Sequence, residues 1–156
     1  MALEHLDFLE DYREDNRIEA KRAQGGLPHS LWETYSAFAN TLGGVILLGV
    51  AESREDGSLY SVPLFDPEEL AEEFWSMVRD REVVSANLLQ EEDVQILKSG
   101  RNEVVAIFVP RAPDRLRPVY VGKDPYTGTY VRRGEGDYRC IRQHVEAMLQ
   151  GRGTAP

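Results

Sequence analysis

Cysteine is almost missing from this sequence. Cys140 stands alone, so no internal disulfide can form, and a chain without one fits a reducing, cytoplasmic setting. Neither a helix start nor a histidine lies beside it to lower its pKa, so Cys140 reads as packing rather than as a nucleophile. Long hydrophobic runs are missing too. The longest apolar stretch, residues 45–50, is interrupted by Gly49 and falls far short of the roughly 20 residues that span a bilayer. The acidic opening MALEHLDFLEDYRED has neither the apolar core nor the small-residue cleavage site of a secretory signal. No membrane partner is expected. The phosphate-cradling loops of nucleotide enzymes are lacking as well: Gly43-Gly44 precedes a strand pattern instead of following one, and Gly122-Lys123 has neither the upstream glycine nor the following Ser or Thr. His5, His29 and His144 are scattered without metal-ligand spacing.

What remains is 156 residues, 42% hydrophobic, enough for one domain with one core. The net charge of −9 opposes a polyanionic partner, because affinity for nucleic acid comes largely from Lys and Arg neutralising phosphates. The charge is unevenly spread, however. Residues 1–100 hold 8 basic and 21 acidic side chains, whereas residues 101–156 hold 10 and 6. That asymmetry suits a basic binding face in the second half, or equally a set of solvated charges on opposite surfaces.

Hydrophobic spacing gives the elements. Leu3, Leu6, Leu9 and Tyr12 predict a short amphipathic helix. Residues 17–21 alternate, a strand period that places Glu19 and Lys21 on one face. Pro28 followed by Leu31, Trp32, Tyr35, Phe38 and Ala39 predicts a core helix over 28–41. Residues 45–50 do not alternate, which predicts a central strand buried on both faces. Asp66-Pro67 opens a helix with Leu70, Phe74, Met77 and Val78 inward. Val94 to Val109, with a turn at residues 99–102, predicts a β-hairpin. Residues 112–118 read as an exposed loop, 127–133 as a strand, 134–137 as a tight loop, and Ile141, Val145, Met148 and Leu149 as the buried stripe of a last helix. The expected fold is α+β: a single domain over residues 1–150, a mixed, mainly antiparallel sheet packed with about four helices, and a flexible tail over 151–156.

The segment LPHSLWETYSAFANTLGGVILLGV at residues 27–50, together with RPVY at 117–120 and PYTGTYVRRGEGDYRC at 125–140, resembles the schlafen-type AlbA domain. With residues 14–21 the resemblance covers nearly the whole chain. It implies the bacterial branch of that family, DNA-binding or transcriptional-regulator-like proteins, often continued by ATPase-like and helix-turn-helix regions. Whether this chain is free-standing or the first part of a longer regulator, and whether it forms a homodimer, stays open.

The vertebrate branch cuts RNA with three carboxylates, two in an E-x-x-x-x-E-x-K arrangement. By resemblance Glu14 and Glu19 match that pair, Lys21 the lysine and Glu52 the third acid. Such a trio suits magnesium or manganese, which take carboxylate oxygens, while Lys21 can hold a phosphate or orient water. Ala51 and Glu52 stand where the active branch has paired Asp. Glu19 and Lys21 can also be surface neighbours worth only tenths of a kcal/mol. For binding, Arg132, Arg133, Arg139 and Arg142, with Tyr130 and Tyr138 nearby and Arg117 and Lys123 as outlying members, combine guanidinium groups with aromatic surfaces. Binding of DNA or RNA calls for no cofactor. Strand alternation puts Arg132 and Arg133 on opposite faces, so one of them is expected to meet the ligand. The readings from sequence are therefore a nucleic-acid-binding regulatory domain, a metal-dependent endonuclease at Glu14, Glu19 and Glu52, or a protein-interaction module.

Overall fold

The computed structural model describes residues 9, 12 and 14–152. The helix expected at the start of the chain and the last residues of the expected tail lie outside them. Leu9 is described, and it is buried.

Strands β1 (Ile18–Lys21), β2 (Gly44–Leu48), β5 (Val94–Ser99) and β6 (Asn102–Val109) form a four-stranded sheet in the order β1-β2-β6-β5. β1 runs parallel to β2, and the other pairings are antiparallel. The two-residue side-chain period divides this sheet cleanly. Ile46, Leu48, Val105 and Ile107 enter the core on the helical side. Leu47, Leu97, Val104 and Ala106 enter a second, smaller core on the other face. β2 is thus buried on both sides, as its unbroken apolar run requires. Ile18 and Ala20 pack into the smaller core, so alternation turns Glu19 and Lys21 toward the helices at the sheet's edge.

The run does not continue to Val50 as one strand. Gly49 has φ +87°, a conformation open to glycine, and an added Cβ would lie 2.9 Å from the Leu64 side chain. The chain turns there into β3 (Val50–Glu52), which pairs with β4 (Leu59–Ser61) as a separate hairpin. That turn carries Glu52 away from the main sheet.

Helix α1 (Ser30–Asn40) is buried on nearly every side, its apolar stripe against the sheet and its polar residues Thr34 and Ser36 enclosed as well. Its interior hydroxyls are satisfied: Ser36 Oγ donates to the Val119 carbonyl at 2.7 Å and Tyr35 Oη to that of Ala86 at 2.9 Å. Helix α2 (Pro67–Val78) begins as its sequence dictates, with the Asp66 carboxylate accepting from Glu69 N at 3.0 Å and Pro67 first in the helix. Leu70, Phe74 and Val78 face inward, and Phe74 stacks on Trp32 at 5.3 Å.

The second half departs from expectation in four places. Residues 112–118 are exposed at 113–115 as expected but anchored at both ends, since Ala112 and Pro118 are buried and Ala112 N donates to the Ala39 carbonyl. Residues 125–128 form a one-turn helix, α3 (Pro125–Gly128), capped by Asp124, so the strand β7 (Tyr130–Arg133) starts later. The glycine-rich loop is shorter than it reads: β8 (Gly136–Arg139) pairs with β7 directly. Helix α4 (Arg142–Arg152) runs into the expected tail. There Arg152 donates to the carbonyls of Leu116, Arg117 and Pro118 at 2.7–3.0 Å, and only Val145 of the expected stripe is fully buried, with Ile141 68% exposed. The architecture is a single α+β unit whose sheets are mainly antiparallel. Cys140 is buried, and burial pushes its thiol pKa up.

Candidate functional site

The β7–β8 hairpin lies along α1 and closes over the edge of the sheet at β1. Its inward pair is Arg132 and Asp137, which face each other in register. Arg132 has a fully buried side chain. It meets Glu19 at 2.9 Å and Asp137 at 2.7 Å, donates to the carbonyls of Asp15 and Ile18, and lies over the Phe38 ring. Burial alone would lower its pKa; Asp137 and Glu19 reverse that and hold it above its usual value. Asp137 also accepts from Thr34 Oγ1 at 2.6 Å. Arg132, expected to contact phosphates, is instead an internal strut joining the hairpin, β1 and α1. An arginine is required for it, because only the forked guanidinium meets two carboxylates and two carbonyls at once.

Glu19, expected as a metal ligand, is held by this strut and by Lys21, whose Nζ lies 3.5 Å from Glu19 and 3.1 Å from Ser30 Oγ. The carboxylates that do converge are Glu14, Glu52 and Glu135, each offering an oxygen within 4.8 Å of the others'. Glu14 Oε2 accepts from Ala20 N at 3.1 Å. Burial first, then the Glu19 charge, opposed by that backbone bond and reinforced by Glu52, raise the Glu14 pKa to about 7. Glu14 and Glu52 were legible as candidates. Glu135 was not, because it sits in the turn of a hairpin whose second strand reads as loop. Three carboxylate oxygens at this spacing match the first ligands of a hard divalent cation, which holds its oxygens at about 2.0–2.6 Å.

On the outer face of the same hairpin Arg133 is exposed, its guanidinium 4.6 Å from the Tyr138 ring centre. Gly136 makes room for that ring, since a Cβ there would lie 2.8 Å from it. Arg139 is exposed on β8, and Arg142 stacks on Tyr126 at 4.1 Å while pairing with Glu146. The outlying members are differently placed. Lys123 pairs with Glu82 at 2.9 Å, both exposed. Arg117 pairs with Asp114 in a cavity beside α4.

The hairpin thus carries two chemistries: a cation and an aromatic ring outside, and at its tip a carboxylate that completes an acidic cluster. The comparisons bear on both. The family model described as Schlafen, AlbA_2 matches residues 14–141. Among solved structures, the chain is similar to the N-terminal domain of an ATP-dependent DNA helicase RecG-related protein from Nitrosomonas europaea. The two share 31% identity with a TM-score of 0.63, over 87% of this chain and 90% of that one. No curated protein matches the sequence. Among the described residues no helix is long and apolar enough to cross a membrane.

Proposed function

The chain belongs to the Schlafen, AlbA_2 family, and on that premise we propose that it binds nucleic acid through the outer face of the β7–β8 hairpin. The observation that carries this reading is the exposed Arg133–Tyr138 stack. An exposed guanidinium supplies a phosphate contact, and an aromatic face beside it supplies a sequence-tolerant platform for a base. Arg139, exposed at the end of β8, is in register with Tyr130 and so alternates to the other side of the hairpin, and Arg142, at the start of α4, is paired with Glu146. The relation to a protein named for a DNA helicase supports the same class of ligand. The finer reading is DNA binding by a regulator-type domain in a bacterial cytoplasm, as a homodimer or joined to further domains. It rests on the bacterial branch that residues 117–140 resemble.

A titration of the isotope-labelled protein with a short single-stranded oligonucleotide tests this. Amide shifts centred on Arg133 and Tyr138 are expected. Shifts confined to β5, β6 or α2 would place the interface elsewhere.

A second reading, metal-dependent cleavage of the bound strand, is favoured by the convergence of Glu14, Glu52 and Glu135. Magnesium or manganese would be held by these three and would supply a metal-activated hydroxide and charge stabilisation. Lys21, fixed between Glu19 and Ser30, would hold a phosphate oxygen beside it. Manganese should broaden the signals of residues 14, 52 and 135, and Glu135→Gln should abolish that broadening. Broadening unaffected by this variant would dismiss the site.

A further inference from the structure

We propose that the cavity between the carboxyl-terminal end of α1, the 3-10 turn Asp114–Leu116 and α4 is a phosphate-binding site, separate from the hairpin face and independent of the nucleic-acid reading. The cavity measures about 320 Å³, and Asn40, Arg111, Asp114, Arg117, His144 and Gly151 are among its lining residues.

Two guanidinium groups face the same space, and one carboxylate is among that lining. Arg117 is held below its usual pKa by burial and by the neighbouring Arg111 charge, an opposition that an anion between the two guanidiniums would relieve. Both are anchored at one end. Arg111 Nε donates to the Thr41 carbonyl at 2.8 Å, leaving its terminal amino groups without a protein acceptor among the described residues. Arg117 is paired with Asp114. Arg152 fixes the same loop from behind, its guanidinium on the carbonyls of residues 116–118.

Arg111 in part answers helix chemistry, since the end of α1 presents the Thr41 carbonyl to its Nε. Carbonyl capping accounts for Arg111 Nε and for Arg152. It does not account for Arg117 lying beside a like charge. A cation is disfavoured by the sign of the site, and the two arginines outweigh the apolar wall that Ala147 and Met148 contribute. A phosphate fits best, because two forked donors can bind its oxygens in pairs and its charge offsets both guanidiniums. Asp114 is the competitor. It is 74% exposed while the Arg117 side chain is 11% exposed, so the carboxylate can swing into water and leave Arg117 to the anion.

Inorganic phosphate is titrated into the labelled protein at constant ionic strength, with signals of the Asn40 side-chain amide and the His144 ring followed. Saturable shifts are expected. Arg111→Gln and Arg117→Gln should each weaken binding about tenfold, the worth of one charge-assisted hydrogen bond, while Asp114→Asn should bind as tightly or more tightly. Unchanged β5–β6 signals verify that each variant is folded. No saturable shift in the parent protein, or equal binding by the folded Arg111→Gln variant, would overturn the proposal.

The source of the phosphate is read with a 5′-phosphorylated oligonucleotide, its 5′-hydroxyl twin and a mononucleotide. Preference for the phosphorylated strand that disappears in Arg117→Gln assigns a nucleic-acid terminus. Binding of the mononucleotide with no preference between strands assigns a small phosphorylated compound. Phosphate binding without any oligonucleotide binding would sustain this site and defeat the hairpin interface.

Discussion

At Arg132 and Arg133, two adjacent residues of one type have opposite tasks because the strand turns one in and the other out. Removing the inner one leaves Glu19 and Asp137, each little exposed, with uncompensated charge. Arg132→Ala should therefore cost about 3–5 kcal/mol in denaturant unfolding, and Arg132→Lys should not restore it, since a single ammonium cannot fill the fork. Arg133→Ala should stay within about 0.5 kcal/mol. Similar stabilities for the two alanine variants would refute the strut. Alternation gave the opposition of the two side chains from sequence. Which one faced inward required knowing that β1 presents Glu19 to the same interior.

Glu14 carries the clearest pH dependence. Its folded pKa of about 7 lies above the ordinary 4.5, so between those values the folded state binds more protons than the unfolded one. Stability should fall as pH rises from about 4.5 to about 7, with the full penalty present above that range. Glu14→Gln should flatten this slope; urea titrations at pH 5 and pH 7.5 compare the two proteins, and an identical slope in both would exclude Glu14 as its source. A cation at the cluster needs the ionised form, so manganese affinity should increase over the same interval.

Among elements, the β7–β8 hairpin carries the proposed interface and was the least legible. Helix α2 announced itself through Asp66 and Pro67, and β2 through its unbroken apolar run. For α2 the expected loss on Asp66→Ala is about 1 kcal/mol, checked by thermal unfolding. β8 was hidden because Gly134-Glu135-Gly136-Asp137 has turn composition, although Gly136 and Asp137 are paired strand residues. Glycine at 136 is there for the Tyr138 ring, a reason visible only once the strand is built. Tyr138→Ala should weaken single-strand binding by about 1–3 kcal/mol, measured by calorimetry, with stability little changed. An unaltered affinity would remove the aromatic platform from the interface. Residues 112–118 were read in part: proline and charge gave the exposure of residues 113–115, but not the anchoring of the ends by Arg152 and the Ala39 carbonyl from elements distant in sequence.

Across the whole molecule, the acidic excess of the first hundred residues and the basic excess of the rest are folded against one another. Part of the asymmetry disappears into the interior, where Arg132 meets Glu19. Basic charge left on the surface of the second half includes Arg133 and Arg139 and the α4 cavity, so binding should be electrostatic and modest in a chain of net charge −9. The fold class was readable from sequence because it depends on periodicity. The site was readable only in part because Glu135 joins Glu14 and Glu52 through tertiary packing. The most direct measurement follows a fluorescent single strand and a duplex by anisotropy at several salt concentrations, with the parent protein and Arg133→Ala. Affinity should fall linearly on logarithmic axes as salt rises, and Arg133→Ala should reduce that slope by about one unit, the share of one phosphate contact. No binding by the parent protein at low salt, or an unchanged slope in Arg133→Ala, would remove the hairpin from nucleic-acid recognition.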